Sequence, residues 1–312
     1  MTLDMCACAE LRRCIVALGN MTEAELYFSY KGVYVPKLIH SPESFSFLEN
    51  FPFRHDDILV VTYPKSGTTW SQEILPLIIS DGDMTPVLTI PNWDRMPWLE
   101  EHRALKLNLE QRPSPRLFVT HCHYYMMPES FFKVKPKVIY IMRNPKDVFT
   151  SSYPFYAMAS YMVNPGTKDE FLEKFLDGTV IFGSWFDHVK GWLGAKDQVN
   201  IMYISYEEMI LDLRASITKI SHFVGKSLTQ EVTEKIADHC MFTNMKQNKM
   251  SNYSLVSSEI LDQKKSEFLR KGVIGDWKNC LTEDQVARFD SVYKERMKDV
   301  NFKFIWDEDT QL

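Results

Sequence analysis

No apolar run in this chain approaches the ~20 residues that a membrane-crossing helix requires, so no membrane span is expected. The first twenty residues, MTLDMCACAELRRCIVALGN, place acidic residues and two arginines ahead of a brief IVAL patch. They lack the apolar core and cleavage site of a secretory signal. A cysteine framework is missing too. The six cysteines, Cys6, Cys8, Cys14, Cys122, Cys240 and Cys280, include no C-x-x-C pair, and Cys6 and Cys8 have no second ligand pair nearby. In a chain this long that spread points to free thiols in a reducing cytoplasm, with no metal site. An excess of positive charge is also absent. The formal net charge is −5 and the pI near 5.9, which argues against a surface that coats nucleic acid. It leaves room for one small, highly charged anion held by a few local cations. No internal repeat, low-complexity tract or long linker divides the 312 residues.

What is present suits a large core: 45% of the residues are hydrophobic and 13% aromatic. Four β-branched or aromatic runs read as buried strands, at 57–63, 117–120, 137–142 and 200–205. Helical patterns follow them. The first covers 69–80, where Pro76 is expected to kink or end it. Asn144-Pro145 reads as an N-cap followed by proline in the first turn. Further helices are expected at 211–224 and 229–239, and Thr282 with Gln285 has capping-box spacing. Strands alternating with helices imply an α/β fold with a mostly parallel sheet covered on both faces. Residues 1–40 read as an N-terminal extension leading into a single domain over 41–312.

In such sheets ligands bind beyond the carboxyl ends of the strands. The first three ends carry Lys65-Ser66-Gly67, His121 and Arg143, and a second cationic cluster, Arg270-Lys271-Gly272, comes much later. The stretch VTYPKSGTTW has the strand, small-residue turn and helix start of a phosphate loop, but in an unusual order. A nucleoside-triphosphate loop carries its lysine after the glycine, whereas Lys65 precedes Gly67. Gly67 permits close backbone approach, and the N–H groups entering the helix form an anion nest. Thr68 and Thr69 add hydroxyl donors, Lys65 a mobile charge, and Trp70 a ring on which a base can stack. Taken alone, S-G-T is an ordinary strand-to-helix turn; the full run is far more specific.

The run YPKSGTTW resembles the 5′-phosphosulfate loop of the cytosolic sulfotransferases, which use 3′-phosphoadenosine 5′-phosphosulfate. RNPKDVFTSS, starting at Arg143, resembles the family segment that binds the donor's 3′-phosphate, and RKGVIGDWKN, starting at Arg270, the late segment that clamps it. RLFVTH and GDWKN are similar to the family-six branch. The resemblance spans nearly the whole chain after the first few dozen residues. It implies a P-loop-like three-layer fold and a cytoplasmic enzyme that sulfates a hydroxyl or amine of a small apolar or aromatic acceptor. The product would be 3′,5′-bisphosphoadenosine, with no metal, membrane or nucleic-acid partner.

Residue by residue, the resemblance assigns the 5′-phosphosulfate to Lys65, Ser66, Gly67, Thr68 and Thr69. The 3′-phosphate falls to Arg143, Ser151, Arg270, Lys271 and Gly272, where arginine's planar fork suits phosphate. Trp70, Tyr206 and Phe242 match adenine-contacting positions. His121 matches the catalytic base, a role worth ~10²–10⁴-fold in rate; His123, two residues on, could share its face in a strand. Lys65 would stabilise charge on the departing oxygen, with Ser151 holding it away until the acceptor arrives. Trp93, Met96, Trp98, Phe155, Tyr156 and Tyr253 fall in segments that line the acceptor pocket.

The chain also departs from the family pattern. Val119 stands where many relatives carry a lysine two residues before the histidine, and Cys240-Met241 replaces a threonine-serine pair near the adenine. The dimer signature K-x-x-x-T-V-x-x-x-E keeps Lys278 and Thr282 but has Glu283 and Ala287, so the familiar homodimer is in question. Two rival readings are a nucleotide-binding protein that has lost catalysis and a P-loop phosphotransferase. The second would need a lysine after the glycine and strand-end carboxylates for Mg²⁺.

Overall fold

The computed structural model describes residues 21–307, so Cys6, Cys8 and Cys14 lie outside the described residues. Its centre is a four-stranded parallel sheet of β3 (Ile58–Thr62), β4 (Leu117–Thr120), β5 (Lys137–Met142) and β6 (Asn200–Ser205), in the order β4-β3-β5-β6. Before it, a hairpin of β1 (Tyr27–Tyr30) and β2 (Val33–Pro36) packs Tyr27, Val33 and Val35 into the main core.

Every residue of β3 is buried, as expected of a central strand covered on both faces. The alternation of side chains divides the core in two. Leu59, Val61, Phe118, Val138 and Tyr140 enter one cluster, whereas Ile58, Val60, Val119, Ile139 and Ile141 enter the other. Val119 is fully buried in the second cluster, with Ile74 and Leu77 of the helix Thr68–Ile79. Its methyls pack the core, so the position where relatives place a lysine serves packing here.

Three of the four expected strands have the expected limits. β3 is shorter by one residue at each end because both flanking side chains have other work. Asp57 accepts Arg116 Nε at 2.7 Å and Nη2 at 2.6 Å, a bidentate pair whose side chains are both fully buried. Tyr63 turns away and donates its hydroxyl to Gly183 O at 2.7 Å.

The helix Thr68–Ile79 continues past Pro76 and is not ended by it. Proline lacks the N–H that would serve the carbonyl four residues back. Arg95 supplies the missing donor, its Nη2 lying 3.1 Å from Gln72 O. Asn144 caps the helix Pro145–Met158 by accepting Lys146 N–H at 2.9 Å. The stretch at 211–224 is divided at Asp212, which ends Tyr206–Leu211 and caps Leu213–Val224. Thr229 caps Gln230–His239, and Thr282 with Gln285 forms the expected capping box of Glu283–Met297.

The chain leaves β3 for β4 on one side and later places β5 on the other. Such a reversal opens a crevice at the carboxyl edge. Among the described residues no helix is long and apolar enough to cross a membrane.

Candidate active site

The turn between β3 and the helix Thr68–Ile79 takes two left-handed residues, Lys65 at φ 69° and Gly67 at φ 109°. Such a value is rare for a side-chain-bearing residue, and it swings Lys65 out of the turn. At Gly67 a Cβ would sit 3.1 Å from Tyr206 Cδ2, so glycine lets the turn close against that ring. Ser66 Oγ is buried here without a hydrogen-bond partner.

The Lys65 ammonium lies 4.4 Å from the Phe155 ring centroid and 4.8 Å from that of Phe268. No carboxylate pairs with it among the described residues. Burial, then Arg143 and Arg270, push its pKa down to about 7. Its place over the two rings is not the expected one on Ser151, and no hydrogen bond joins the two residues. Ser151 does face the same cavity.

Arg143, 8% exposed, ties the loops together. Its Nη1 donates to Lys65 O at 2.9 Å and its Nη2 to Val273 O at 3.2 Å. The guanidinium carbon stands 4.2 Å from the Tyr206 ring centroid, while Nε is buried and unpartnered.

The late cationic segment is held from beneath. Asp147 accepts Gly275 N–H at 2.6 Å and Trp277 N–H at 3.0 Å. Asp276 accepts Arg270 Nη2 at 2.8 Å and Lys271 Nζ at 2.6 Å. Burial alone would raise the Asp276 pKa, but hydrogen bonds from Lys271 and Arg270 outweigh it and hold the carboxyl at about 2. Gly272, at φ 66°, lies against the face of Phe242, where a Cβ would come within 2.2 Å of Cδ2. Trp70 meets Tyr206 edge to face at 5.3 Å and donates its indole N–H to Cys240 O at 2.9 Å. Cys240 therefore contributes its backbone, with its thiol fully buried.

His121, at the end of β4, sets its Nδ1 2.8 Å from Thr62 O. A carbonyl only accepts, so Nδ1 carries the proton and Nε2 keeps its lone pair. Thr62 Oγ1 lies 3.2 Å from the same Nδ1 and 2.6 Å from Thr68 Oγ1, linking the imidazole to the phosphate loop. The His121 N–H donates to Glu100 Oε1 at 2.7 Å. Burial, opposed by the Thr62 hydrogen bond and aided by Lys65, lowers the imidazole to about 4. His123 is packed instead: it is 3% exposed, and its Nε2 is 2.7 Å from Phe182 O.

Lys65, Gly67, His121, Arg143, Tyr206 and Arg270 share one cavity of about 440 Å³, within the range of small-molecule sites. Every residue expected at the nucleotide reaches its wall except Ser66, which lies buried behind the loop. Trp93, Trp98, Phe155 and Tyr253 line it as well. Met96 and Tyr156 do not. Met96 is fully buried in the second core cluster, and Tyr156 OH accepts Ile181 N–H at 2.9 Å from within the main core. Helical spacing carried the signal for the second correction, since Ser151 and Phe155 are four residues apart on one face and Tyr156 is turned from it. Thr62, Glu101, Tyr161 and Phe268 were not anticipated. Of these, only Phe268, just ahead of the Arg270 cluster, was signalled by position.

The sulfotransferase domain family matches residues 55–301. The chain belongs to the sulfotransferase family. It is 47% identical over 282 residues to mouse sulfotransferase 2B1, covering 90% of this chain and 83% of that protein. Amine sulfotransferase of Oryctolagus cuniculus is 42% identical over 89% of this chain and 93% of its own. The crystal structure of mouse sulfotransferase SULT7A1 complexed with PAP superposes with a TM-score of 0.74 at 33% identity, covering 88% of this chain and 95% of that one. The protein is therefore a sulfotransferase, with the three-layer, P-loop-like architecture expected from its loop.

Proposed function

We propose that this sulfotransferase moves a sulfuryl group from 3′-phosphoadenosine 5′-phosphosulfate to a hydroxyl or amine of a small aromatic or apolar acceptor, with His121 as general base. The observation that carries the reading is the Thr62 bridge: one residue fixes the His121 tautomer and touches Thr68 of the phosphate loop. A neutral imidazole with Nε2 free can take the acceptor's proton as it attacks. The solved mouse relative was crystallised with PAP, and one curated relative is named for amines. The buried free thiols of Cys122 and Cys240 suit a cytoplasmic enzyme.

The residues present fit such a donor. When bound, it supplies a sulfuryl group on a phosphate leaving group. The helix N-terminus at Gly67, Thr68 and Thr69, all on the cavity wall, would hold its 5′ end. Lys65, left without a carboxylate, would stabilise the leaving oxygen. Arg143, with its unpartnered Nε, would take the 3′-phosphate with Ser151, Arg270 and Lys271. Trp70, Tyr206 and Phe242 would enclose the base.

Thermal unfolding tests the donor. At ~100 times its dissociation constant, 3′,5′-bisphosphoadenosine is expected to add about 2.7 kcal/mol of stability, with no comparable gain from ATP and Mg²⁺. Stabilisation by ATP alone would sink the reading. Gly272→Ala gives a second check. A left-handed alanine costs ~1–2 kcal/mol, and its methyl displaces the Phe242 ring. Bisphosphate affinity by calorimetry is expected to drop about tenfold or more; wild-type affinity would show that this contact does not shape the nucleotide site.

A further inference from the structure

The acceptor end of the cavity holds one carboxyl group that the proposed reaction leaves unused. Glu101 lines the cavity, while its neighbour Glu100 turns inward to accept the His121 N–H at 2.7 Å. Among the described residues no hydrogen bond or ion pair engages the Glu101 carboxyl. Arg103 also reaches the wall; its guanidinium pairs with Asp94, and its charge eases the rise in the Glu101 pKa without cancelling it.

Aromatic rings surround this carboxyl. Tyr161 and Tyr253 stand close enough that its charge, after burial, raises both of their phenol pKa values. Tyr253 adopts φ 61° and stacks on Phe268 at 3.8 Å, and its other side meets Trp93 at 5.1 Å. A left-handed tyrosine between two rings is a fixed wall. The Glu101 carboxyl is itself pushed up to about 8, by burial first and by Glu100 second. An empty cavity thus keeps it protonated near neutral pH. A cation beside it would reverse that balance.

An unpaired carboxyl among aromatic faces is the chemistry that recognises an organic ammonium. Lys65, Arg143 and Arg270 line the same cavity, where Glu101 is the one carboxyl among the described residues, so an ammonium is drawn to it. We propose that Glu101 is a specificity-determining residue that anchors a positively charged nitrogen of the acceptor, so that the enzyme favours compounds bearing an ammonium apart from the group it sulfates. This rests on the sulfotransferase reading of the cavity, but binding can be read without turnover.

The test pairs 4-(2-aminoethyl)phenol with 4-ethylphenol, similar in shape and differing in charge. Calorimetry on the protein, with and without 3′,5′-bisphosphoadenosine, is expected to show tighter binding of the amine. Glu101→Gln is expected to cut the amine-to-neutral affinity ratio about ten- to a hundredfold, the value of one charge-assisted hydrogen bond. A ratio unchanged in Glu101→Gln, or a wild-type protein that binds both phenols equally, overturns the proposal. Failure of the bisphosphate to bind, or of the phosphosulfate donor to sulfate either phenol, would instead overturn the donor reading. The affinity ratio in the nucleotide-free protein would still decide the role of Glu101.

Discussion

His121→Ala is expected to lower kcat by ~10²–10⁴-fold, the usual worth of a positioned general base, while bisphosphate affinity stays within about twofold. The two readouts separate because His121 touches the phosphate loop only through Thr62 Oγ1. The pH profile adds a sharper check. An imidazole held at about 4 is neutral across the physiological range, so the acid limb of kcat/KM should fall near pH 4 and not near 6.5. Lys65 acts in the opposite sense. Its pKa of about 7 means that the free enzyme loses this charge as pH rises through 7. The donor's kcat/KM should therefore decline on the alkaline side, and kcat less so, because a bound anion restores the ammonium. Full activity in His121→Ala would remove His121 from the chemistry, whereas an acid limb at 6.5 would show that burial does not depress the imidazole in the working enzyme.

The end of the cavity proposed for the nucleotide was legible because its parts are contiguous in sequence. Lys65 to Trp70 form one loop, Arg143 directly follows a strand, and Arg270 to Gly272 form one cluster. Strand limits were legible wherever β-branched runs ended in polar residues. They slipped at Asp57 and Tyr63, whose side chains take partners from distant segments, Arg116 and Gly183. Pro76 does not end its helix for the same reason: the local rule is sound, but Arg95, from another segment, serves the Gln72 carbonyl that proline cannot. The acceptor end is assembled from single residues in separate loops, so no pattern along the chain marks it. Within WLEEHR nothing separates Glu100, which holds the His121 backbone, from Glu101, which faces the cavity. Only the fold tells them apart.

Arg143→Ala is expected to weaken bisphosphate binding by ~30- to 1,000-fold or more, the cost of truncating one partner of a buried, hydrogen-bonded charge pair. Arg270 and Lys271 carry the same charge, yet their loss should matter less. Both are more exposed and already paired with Asp276, so part of any phosphate contact is offset by what they give up. Arg143 keeps Nε free while Nη1 and Nη2 hold Lys65 O and Val273 O. It thus joins the phosphate loop to the late segment as well as carrying charge. Arg143→Lys separates the two functions. Lysine keeps the charge but lacks the fork, so it cannot hold both carbonyls and also meet an anion. Its affinity should lie nearer to that of the alanine variant than to wild type. Recovery of full affinity by lysine would reduce Arg143 to a point charge, and unchanged affinity in Arg143→Ala would place the 3′-phosphate elsewhere.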